Sequence, residues 1–471
     1  MTIKDRIATY VADHKERLID ELQAFLRQKS ISTEDIGMED CAAMLERELR
    51  RLGFEAGIAR VPGAMPAVWG VAGGGPDGAS GHGPGGAGAT RGGRRMLVYG
   101  HYDVQSPQPL ELWQSDPFGA DIRGGFIYAR GATDDKGNLW ANIKAAETVQ
   151  AVLGEIPLQL RFLFEGEEEI GSPNLAAVMR GLAGRLSSDI SIVCDRGVHE
   201  SGRPQIYLGN KGILSAEITA TKGRRDVHSG HAPLIPNAAY DLMALITSMR
   251  APDGTILVDG YLDNVKGPDA DEAALLDTIP FDRDEFNRGY GLKENLGPKT
   301  ARGMLERLLY YPTANVSGFK AGWLGERGKT IIPHTAWTRL DLRLVHAQTL
   351  TEAKEKLAAF IDRSPYGPFD YRISGENEEY KVPPSNPAVR TAIATAADVY
   401  GSDPVVWPLL DGSGPLCLFP RYLGAPVFMI GLAAAFSTAN THAPNENISI
   451  EQYLKGIEYM ANLMVRYAEL S

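Results

Sequence analysis

Five apolar runs in this chain end at, or shortly before, residues of the types that bind metal ions. The runs cover residues 96–99, 126–128, 158–164, 190–194 and 426–432. Short apolar runs bounded by turn residues are typical of strands that are buried on both faces of a sheet. The metal-binding residue types that follow are His101, Asp134, Glu169, Asp195 and His442. Ligands of open α/β sheets bind beyond the carboxyl ends of the strands, so we expect these five side chains to lie together.

The segments between these runs have helical periodicity. Residues 3–29 carry apolar positions at helical spacing, a second helix is predicted over 38–52, and residues 138–153 form the clearest helical pattern. Strands and helices alternate from 96 to 195. This alternation predicts an α/β fold with a mostly parallel sheet and helices on both faces.

The pattern changes near residue 212. The following segment predicts strands at 213–220, 331–332 and 338–344 and helices at 236–250 and 351–361. Such content predicts a small α+β domain inserted into the larger one, and a proline-rich stretch at 383–387 marks the return. The predicted domains are a first catalytic part at 1–212, an inserted domain at 213–384 and a second catalytic part at 385–471.

Residues 72–93 are almost entirely Gly, Ala and Pro, with a few polar residues. This composition offers too little apolar surface to order the segment, so it predicts a flexible surface loop between two strands. His82 lies in this segment, and we interpret it as a solvated residue.

Composition excludes several classes of partner. A chain of 471 residues with a net charge of −11 and no basic cluster is not suited to nucleic acid. Three scattered cysteines exclude a disulfide framework and a thiolate zinc site, which favours a cytoplasmic protein. The N-terminus lacks the apolar core of a signal peptide, and no run has the length of a membrane span.

The candidate ligands can be arranged around two divalent cations. Such a pair needs a carboxylate that bridges the ions, and Asp134 suits this role because it follows a strand and precedes a turn. His101 and Asp195 complete one site, and Glu169 and His442 complete the other. Zinc accepts these nitrogen and oxygen donors and is favoured by affinity, with manganese and cobalt as alternatives.

Two further acids have predicted supporting roles. Asp103, two residues after His101, suits a partner that orients the imidazole. Neighbouring residues in extended backbone point to opposite sides, so Glu168 and Glu169 need not share a metal ion. One can bind an ion while the other accepts a proton from a coordinated water.

These stretches resemble the zinc aminoacylase–carnosinase family of metallopeptidases, and cytosolic dipeptidases of the carnosinase type are most similar. The resemblance is densest at residues 100–105, 130–137, 165–172, 226–230 and 329–333. It implies a zinc-peptidase-like catalytic domain with an inserted lid and dimerisation domain. It also implies that Glu168 is the general base, that Asp103 orients His101, and that a cis peptide bond joins Asp134 to Asp135.

The resemblance also implies substrate contacts, one of them from His228 in the inserted domain. His228 is expected to reach into the partner's active site in a homodimer and to stabilise the oxyanion. Arg343 is expected to pair with the terminal carboxylate of the substrate, while Thr330 and Ser413 hold the substrate backbone or carboxylate.

The predicted function is that of a dinuclear metal-dependent hydrolase that cleaves the amide bond of dipeptides. One alternative is an N-acyl-amino-acid deacylase of the aminoacylase or acetylornithine deacetylase type, and another is a catalytically silent binding protein. By the resemblance, Asp at position 195 favours the dipeptidase. His346 and Asp411 depart from the family pattern and affect which side chains are accepted.

Overall fold

The computed structural model describes residues 1–72, 93–375, 377–432 and 436–470. The chain forms two compact units. The first comprises Met1–Leu208, Val382–Trp407 and Leu418–Ser471, and the second comprises Gly209–Lys381 and Pro408–Cys417. The predicted glycine-rich loop, with His82, lies outside the described residues except at its two ends.

The helices of the described chain are α1 (Ile3–Asp13), α2 (Lys15–Arg27), α3 (Met38–Arg51), α4 (Lys136–Leu153), α5 (Leu175–Leu186), α6 (Ala238–Ser248), α7 (Ala270–Leu276), α8 (Arg283–Gly289), α9 (Ala301–Tyr310), α10 (Leu350–Asp362), α11 (Pro387–Tyr400), α12 (Phe436–Ala439) and α13 (Ile450–Ala468). Among these helices, none is both long enough and apolar enough to cross a membrane.

The strands are β1 (Glu55–Ala59), β2 (Ala67–Ala72), β3 (Arg95–His101), β4 (Asp121–Arg123), β5 (Phe126–Tyr128), β6 (Gln159–Glu165), β7 (Ile190–Val193), β8 (Gln205–Tyr207), β9 (Gly209–Thr221), β10 (Val227–His228), β11 (Asn315–Ala321), β12 (Ile331–Ile332), β13 (Thr335–Leu344), β14 (Phe369–Ser374), β15 (Tyr380–Lys381), β16 (Val405–Trp407), β17 (Leu410–Ser413), β18 (Val427–Gly431) and β19 (Asn447–Ser449).

The first unit contains an eight-stranded sheet in the order β1-β2-β6-β3-β7-β18-β8-β16. Its central strands are parallel: β3 pairs in parallel with β6 and β7, and β18 pairs in parallel with β7. Antiparallel pairs occur toward the edges, between β1 and β2, β2 and β6, and β18 and β8. The prediction of a mostly parallel sheet is therefore confirmed.

Helix α4 lies in the interior of this unit. Nearly all of its residues from Lys136 to Val149 are buried, and it packs against α13, α1, α2 and β3. A helix surrounded in this way has no solvent-exposed face, so its polar side chains find partners inside the protein: Lys144 Nζ lies 2.6 Å from Glu48, and the Asn142 side-chain amide donates to the Asn138 carbonyl at 2.9 Å. Gly154 ends the helix in the left-handed conformation, at φ 86°.

The second unit is built on an antiparallel sheet in the order β11-β13-β9-β14. Along β9, buried and partly exposed residues alternate from Leu214 onward, as expected for a strand with one covered face. Helices α6 and α10 pack against this sheet, and the shared core includes Leu214, Leu342 and Leu357. Strand–helix content of this kind is that of an α+β unit.

Candidate active site

The carboxyl ends of the parallel strands place the first group of candidate ligands. His101 is the last residue of β3 and is completely buried, and Asp195 follows β7 by two residues. Asp134 comes from the loop before α4. The His101 Nε2 atom lies 2.9 Å from Asp134 Oδ1 and 3.8 Å from Asp195 Oδ1. The structure thus brings together the three predicted ligands of one cation.

The second group shares Asp134 with the first. The His442 Nε2 atom lies 3.0 Å from Asp134 Oδ2 and 3.1 Å from Glu169 Oε2. Asp134 therefore presents one carboxylate oxygen to each group. This is the arrangement expected of a carboxylate that bridges two ions.

The chemistry of the donors fits two divalent cations. Two imidazoles and three carboxylates supply only nitrogen and oxygen atoms, which zinc and its neighbours in the first transition row accept. Burial raises the pKa of Asp134, but its hydrogen bonds with His101 and His442 outweigh burial and hold that pKa below its ordinary value. The Asp134 carboxylate is therefore ionised, as a metal ligand must be.

A third group of acids has a different explanation. Glu21, Glu48 and Glu147 lie close enough together to hold an ion, but they surround the buried ammonium group of Lys144. The Lys144 Nζ atom lies 2.6 Å from Glu21, 2.6 Å from Glu48 and 3.0 Å from Glu147. Arg17 and Arg51 also pair with these acids, so three cationic side chains compensate three carboxylates and the cluster is an ion-pair network.

Asp103 connects His101 to the acidic turn. Its carboxylate is completely buried and accepts the backbone N–H groups of Glu168 and Glu169, at 3.2 and 3.0 Å. Its Oδ1 atom also lies 3.4 Å from His101 Nδ1, and its backbone oxygen lies 3.1 Å from the same nitrogen. One side chain thus orients a candidate ligand and the turn that carries the candidate base.

The backbone at the acidic turn differs from the one expected from the sequence. Residues Glu168–Ile170 form a single 3₁₀ turn and not an extended segment. The apolar strand ends at Glu165, and Gly171 ends the turn in the left-handed conformation, at φ 88°. The Ile170 and Gly171 N–H groups donate to the Glu167 and Glu168 carbonyls at 3.2 and 2.8 Å, and the Glu168 and Glu169 N–H groups donate to the Asp103 carboxylate, so the backbone donors of this segment are satisfied in a tight turn.

Glu168 has the electrostatic properties of a proton acceptor. Burial raises the pKa of its carboxyl group to about 8; His101 opposes this rise, whereas Asp195, Asp134 and Glu169 add to it. A general base works best when its pKa lies near the working pH. The assignment of Glu168 as base and of Glu169 as ligand stays a prediction.

Sequence reasoning missed two supporting acids. Asp135 is completely buried; its carboxylate accepts the His101 backbone N–H at 3.1 Å and the Asn138 side-chain amide at 2.8 Å. The peptide bond between Asp134 and Asp135 is cis. Glu446, four residues after His442, is also completely buried and bonds to the loop that carries Asp134. Its position shortly after a candidate ligand was the one available signal.

The four predicted substrate contacts lie in the second unit. His228 is exposed, and its Nδ1 atom accepts the Gly230 N–H at 3.0 Å; the neighbouring Ser229 N–H bonds to the Thr330 carbonyl at 3.1 Å. The Arg343 backbone N–H donates to Thr313 Oγ1 at 2.9 Å in β13. The Ser413 hydroxyl donates to the Gly212 carbonyl at 2.9 Å. Their roles toward a substrate stay predictions.

Several known proteins are similar to this chain in sequence and fold. Residues 97–466 match Peptidase family M20/M25/M40. The chain is 28% identical to the Cys-Gly metallodipeptidase DUG1 of Saccharomyces cerevisiae, over 80% of each protein, and 27% identical to the Beta-Ala-His dipeptidase of Rattus norvegicus, over 80% of this chain and 77% of that one. A solved M20 family metallo-carboxypeptidase, Sso-CP2 from Sulfolobus solfataricus, is 32% identical, with a TM-score of 0.86 and coverage of 96% of this chain and 99% of that one.

Proposed function

This chain belongs to Peptidase family M20/M25/M40, and we propose that it is a dinuclear metallodipeptidase that hydrolyses the amide bond of dipeptides. The observation that carries the proposal is the placement of Asp134, with one oxygen toward His101 and the other toward His442. The two relatives named above as dipeptidases support dipeptides as the substrate class.

The proposed metal ligands form two sets that share Asp134. His101 and Asp195 complete one set, and Glu169 and His442 complete the other. Two divalent cations held there would polarise the scissile carbonyl and lower the pKa of a water molecule. We propose zinc as the native ion, because the donors are imidazoles and carboxylates and zinc ranks above manganese and cobalt in affinity for such sites.

The side chains of the first unit supply the proton transfers. Glu168 accepts the proton of the attacking water and then delivers it to the nitrogen of the leaving amine. Asp103 holds the turn that carries Glu168 through its bonds to the Glu168 and Glu169 N–H groups. The base therefore stays in position while its charge changes.

The second unit is proposed to bind substrate as a lid and to form a homodimer. We propose that His228 stabilises the oxyanion in the partner's site, that Arg343 pairs with the terminal carboxylate, and that Thr330 and Ser413 hold the substrate backbone or carboxylate. The exposure of His228 supports this role, because a side chain that acts on another subunit must be accessible. The scarcity of cysteine, three in 471 residues, supports a cytoplasmic location.

Mixed dimers test the role of His228. His228→Ala and Glu168→Gln are each expected to be nearly inactive alone. If His228 acts in the partner's site, a dimer of one chain of each kind contains one complete site, so refolded equimolar mixtures regain about a quarter of the parent activity. A mixture that stays inactive would place His228 outside the partner's site. His231→Ala, on the same exposed turn, is the control and is expected to keep the parent rate.

A substrate panel tests the reaction itself. The metal-loaded protein is assayed with Cys-Gly, β-Ala-His and Ala-Ala, with N-acetylated amino acids, and with blocked longer peptides. Hydrolysis of the dipeptides alone supports the proposal. Turnover of only the acetylated compounds indicates a deacylase. Removal of the last residue from longer peptides indicates a carboxypeptidase, an activity that the name of the Sulfolobus structure makes the second candidate.

A further inference from the structure

Glu446 joins the two chain segments that carry Asp134 and His442. Its side chain is completely buried, and it lies four residues after His442, just before β19. We propose that Glu446 is a positioning residue that fixes His442 relative to Asp134, and so sets the affinity of the cation site formed by Asp134, Glu169 and His442. The inference rests on the two-cation part of the proposed function.

The carboxylate of Glu446 is saturated by donors from a single loop. Its Oε2 atom accepts from Arg130 Nη1 at 2.7 Å and from the Gly131 N–H at 3.0 Å. Its Oε1 atom accepts from the Thr133 and Asp134 N–H groups at 2.9 and 3.1 Å. Two donors on each oxygen fill the lone-pair positions of a carboxylate, and one of the donors is charged. The backbone of the bridging residue is therefore held directly by this side chain.

The main chain around Glu446 reinforces the same connection. The Ala129 N–H donates to the Glu446 carbonyl at 3.0 Å, and the Thr133 hydroxyl donates to the Asn447 carbonyl at 2.5 Å. Strand β19 then pairs with β5, with Asn447 opposite Tyr128. Side chain, backbone and strand pairing thus attach residues 446–447 to the segment that leads into Asp134.

His442 depends on this attachment more than the other ligands do. Its backbone has φ 59°, and Asn440 and Asn445 on either side are also left-handed, at φ 53° and 63°. Residues that carry a Cβ atom adopt the left-handed conformation at an energetic cost, so the surrounding structure must hold them in it. The described loop between α12 and β19 has no strand partner of its own, and Glu446 is its buried anchor at the carboxyl end.

The two cation sites should therefore respond differently to a change at Glu446. His101 and Asp195 are attached to β3 and β7, neighbouring strands of the central sheet. Their positions do not depend on residues 440–446. Asp134 belongs to both sites and is also held by Glu446, so a small loss at the site of His101 and Asp195 is expected through it. His442 serves only the other site, so loss of Glu446 should weaken that cation much more than its neighbour.

Glu446→Gln tests the inference by metal titration. The glutamine side chain keeps the size of the glutamate but directs an amide N–H₂ toward donors. We expect the cation held by Asp134, Glu169 and His442 to bind about 10- to 100-fold more weakly, which is the range seen when a group that orients metal ligands is lost. The cation held by His101, Asp134 and Asp195 should keep its affinity within about threefold. Calorimetric titration of the metal-free protein with zinc, and with manganese, gives both constants without any substrate.

A matched control separates this effect from a general loss of stability. Glu272 is a buried acid of the second unit; its carboxylate lies 2.5 Å from Lys381 Nζ and accepts the Asp269 N–H at 3.0 Å. Glu272→Gln therefore removes a buried ion pair of the same kind. It should lower the melting temperature of the metal-free protein and leave both metal constants unchanged.

Each outcome has one meaning. Selective weakening of one cation in Glu446→Gln, with none in Glu272→Gln, supports the inference. Equal weakening of both cations, or two parent-like constants, overturns it. A parent protein that binds a single cation contradicts the two-cation proposal itself. If Glu446→Gln does not fold, Thr133→Val is used instead, because it removes only the hydroxyl bond to the Asn447 carbonyl. The inference then requires that the cation held by Asp134, Glu169 and His442 alone binds more weakly, by about 3- to 10-fold.

Discussion

Asp103→Asn should impair metal binding and catalysis together, because Asp103 supports both functions. The aspartate accepts two backbone N–H groups, from Glu168 at 3.2 Å and from Glu169 at 3.0 Å. It also lies 3.4 Å from His101 Nδ1. An amide offers one oxygen, so one of the two N–H groups must then face an N–H₂ group.

The size of the effect follows from burial. Asp103 is completely buried, so a donor left without an acceptor keeps the full cost of desolvation, about 1–3 kcal/mol. That energy corresponds to a factor of about 5 to 150 in an equilibrium constant. Loss of partners that orient metal ligands weakens metal binding by about 10- to 100-fold, which lies in the same range. We therefore expect about a 10- to 100-fold loss in metal affinity, and a similar loss in kcat when metal is saturating.

The assay combines metal titration of the metal-free protein with steady-state kinetics on a dipeptide at saturating zinc. Asp189→Asn is the control. Its carboxylate also accepts a backbone N–H, from Arg95 at 2.9 Å, but it is partly exposed and precedes β7, at the opposite end of the strand from Asp195. Exposed pairs of this kind contribute at most about 1 kcal/mol, and the metal constants should not change. Parent-like metal affinity and kcat in Asp103→Asn would refute the reasoning.

Three further predictions concern the base, the proton balance and the helix that supports the site. Glu168→Gln should keep both metal constants and lose about 10²- to 10⁴-fold in kcat, and a variant with the parent kcat would exclude Glu168 as the base. Hydrogen bonds to Asp134 and Glu169 raise the pKa of His442 to about 10, so this imidazole is protonated at pH 7 in the metal-free protein. Burial lowers the pKa of His101, but its bonds with Asp103, Asp134 and Asp195 outweigh burial and raise that pKa above its ordinary value. Metal binding needs neutral imidazoles; it should therefore release protons and strengthen as pH rises, and a calorimetric enthalpy independent of buffer would contradict this. Gly137→Ala should lower the free energy of unfolding by about 1–3 kcal/mol, because a Cβ atom there overlaps the Ala132 carbonyl oxygen. The control is Gly181→Ala, at an open position of α5, which should raise the free energy of unfolding by up to about 1 kcal/mol. Equal melting temperatures for the two variants would be inconsistent with this packing.

Two candidate metal ligands, His101 and Asp195, could be placed from the sequence because the carboxyl ends of parallel strands meet at one edge of a sheet. A short apolar run indicates a buried strand, and the residue after it lies at the carboxyl edge. His101 and Asp195 follow neighbouring strands for this reason. Asp134 follows β5, which belongs to a separate three-stranded antiparallel sheet, β19-β5-β4, and not to the central sheet as expected. No comparable rule applies to Glu446, since its importance lies in four hydrogen bonds to a loop more than 300 residues away in sequence.

The second unit was predicted less completely, for a physical reason. Strands β9 and β13 alternate between buried and partly exposed residues, so their pattern is visible in the sequence. Strand β11 is an edge strand that is exposed on most positions, and helices α7 and α8 have seven residues each. Elements that bury little surface leave little periodicity, so these three were not predicted.

The acidic turn directs Glu168 and Glu169 differently, although the extended backbone from which this was expected is not present. Separate roles for Glu168 and Glu169 were expected because neighbours in extended backbone point to opposite sides, but the two residues lie in a 3₁₀ turn. With three residues per turn, neighbouring side chains diverge by about 120°, which still keeps them from meeting at one point. Glu169 turns toward His442 at 3.1 Å, whereas both residues give their N–H groups to Asp103. The turn thus gives both residues a shared buried acceptor, which holds the proposed base and the proposed ligand together. A single substitution at Asp103 should therefore affect both proposed functions.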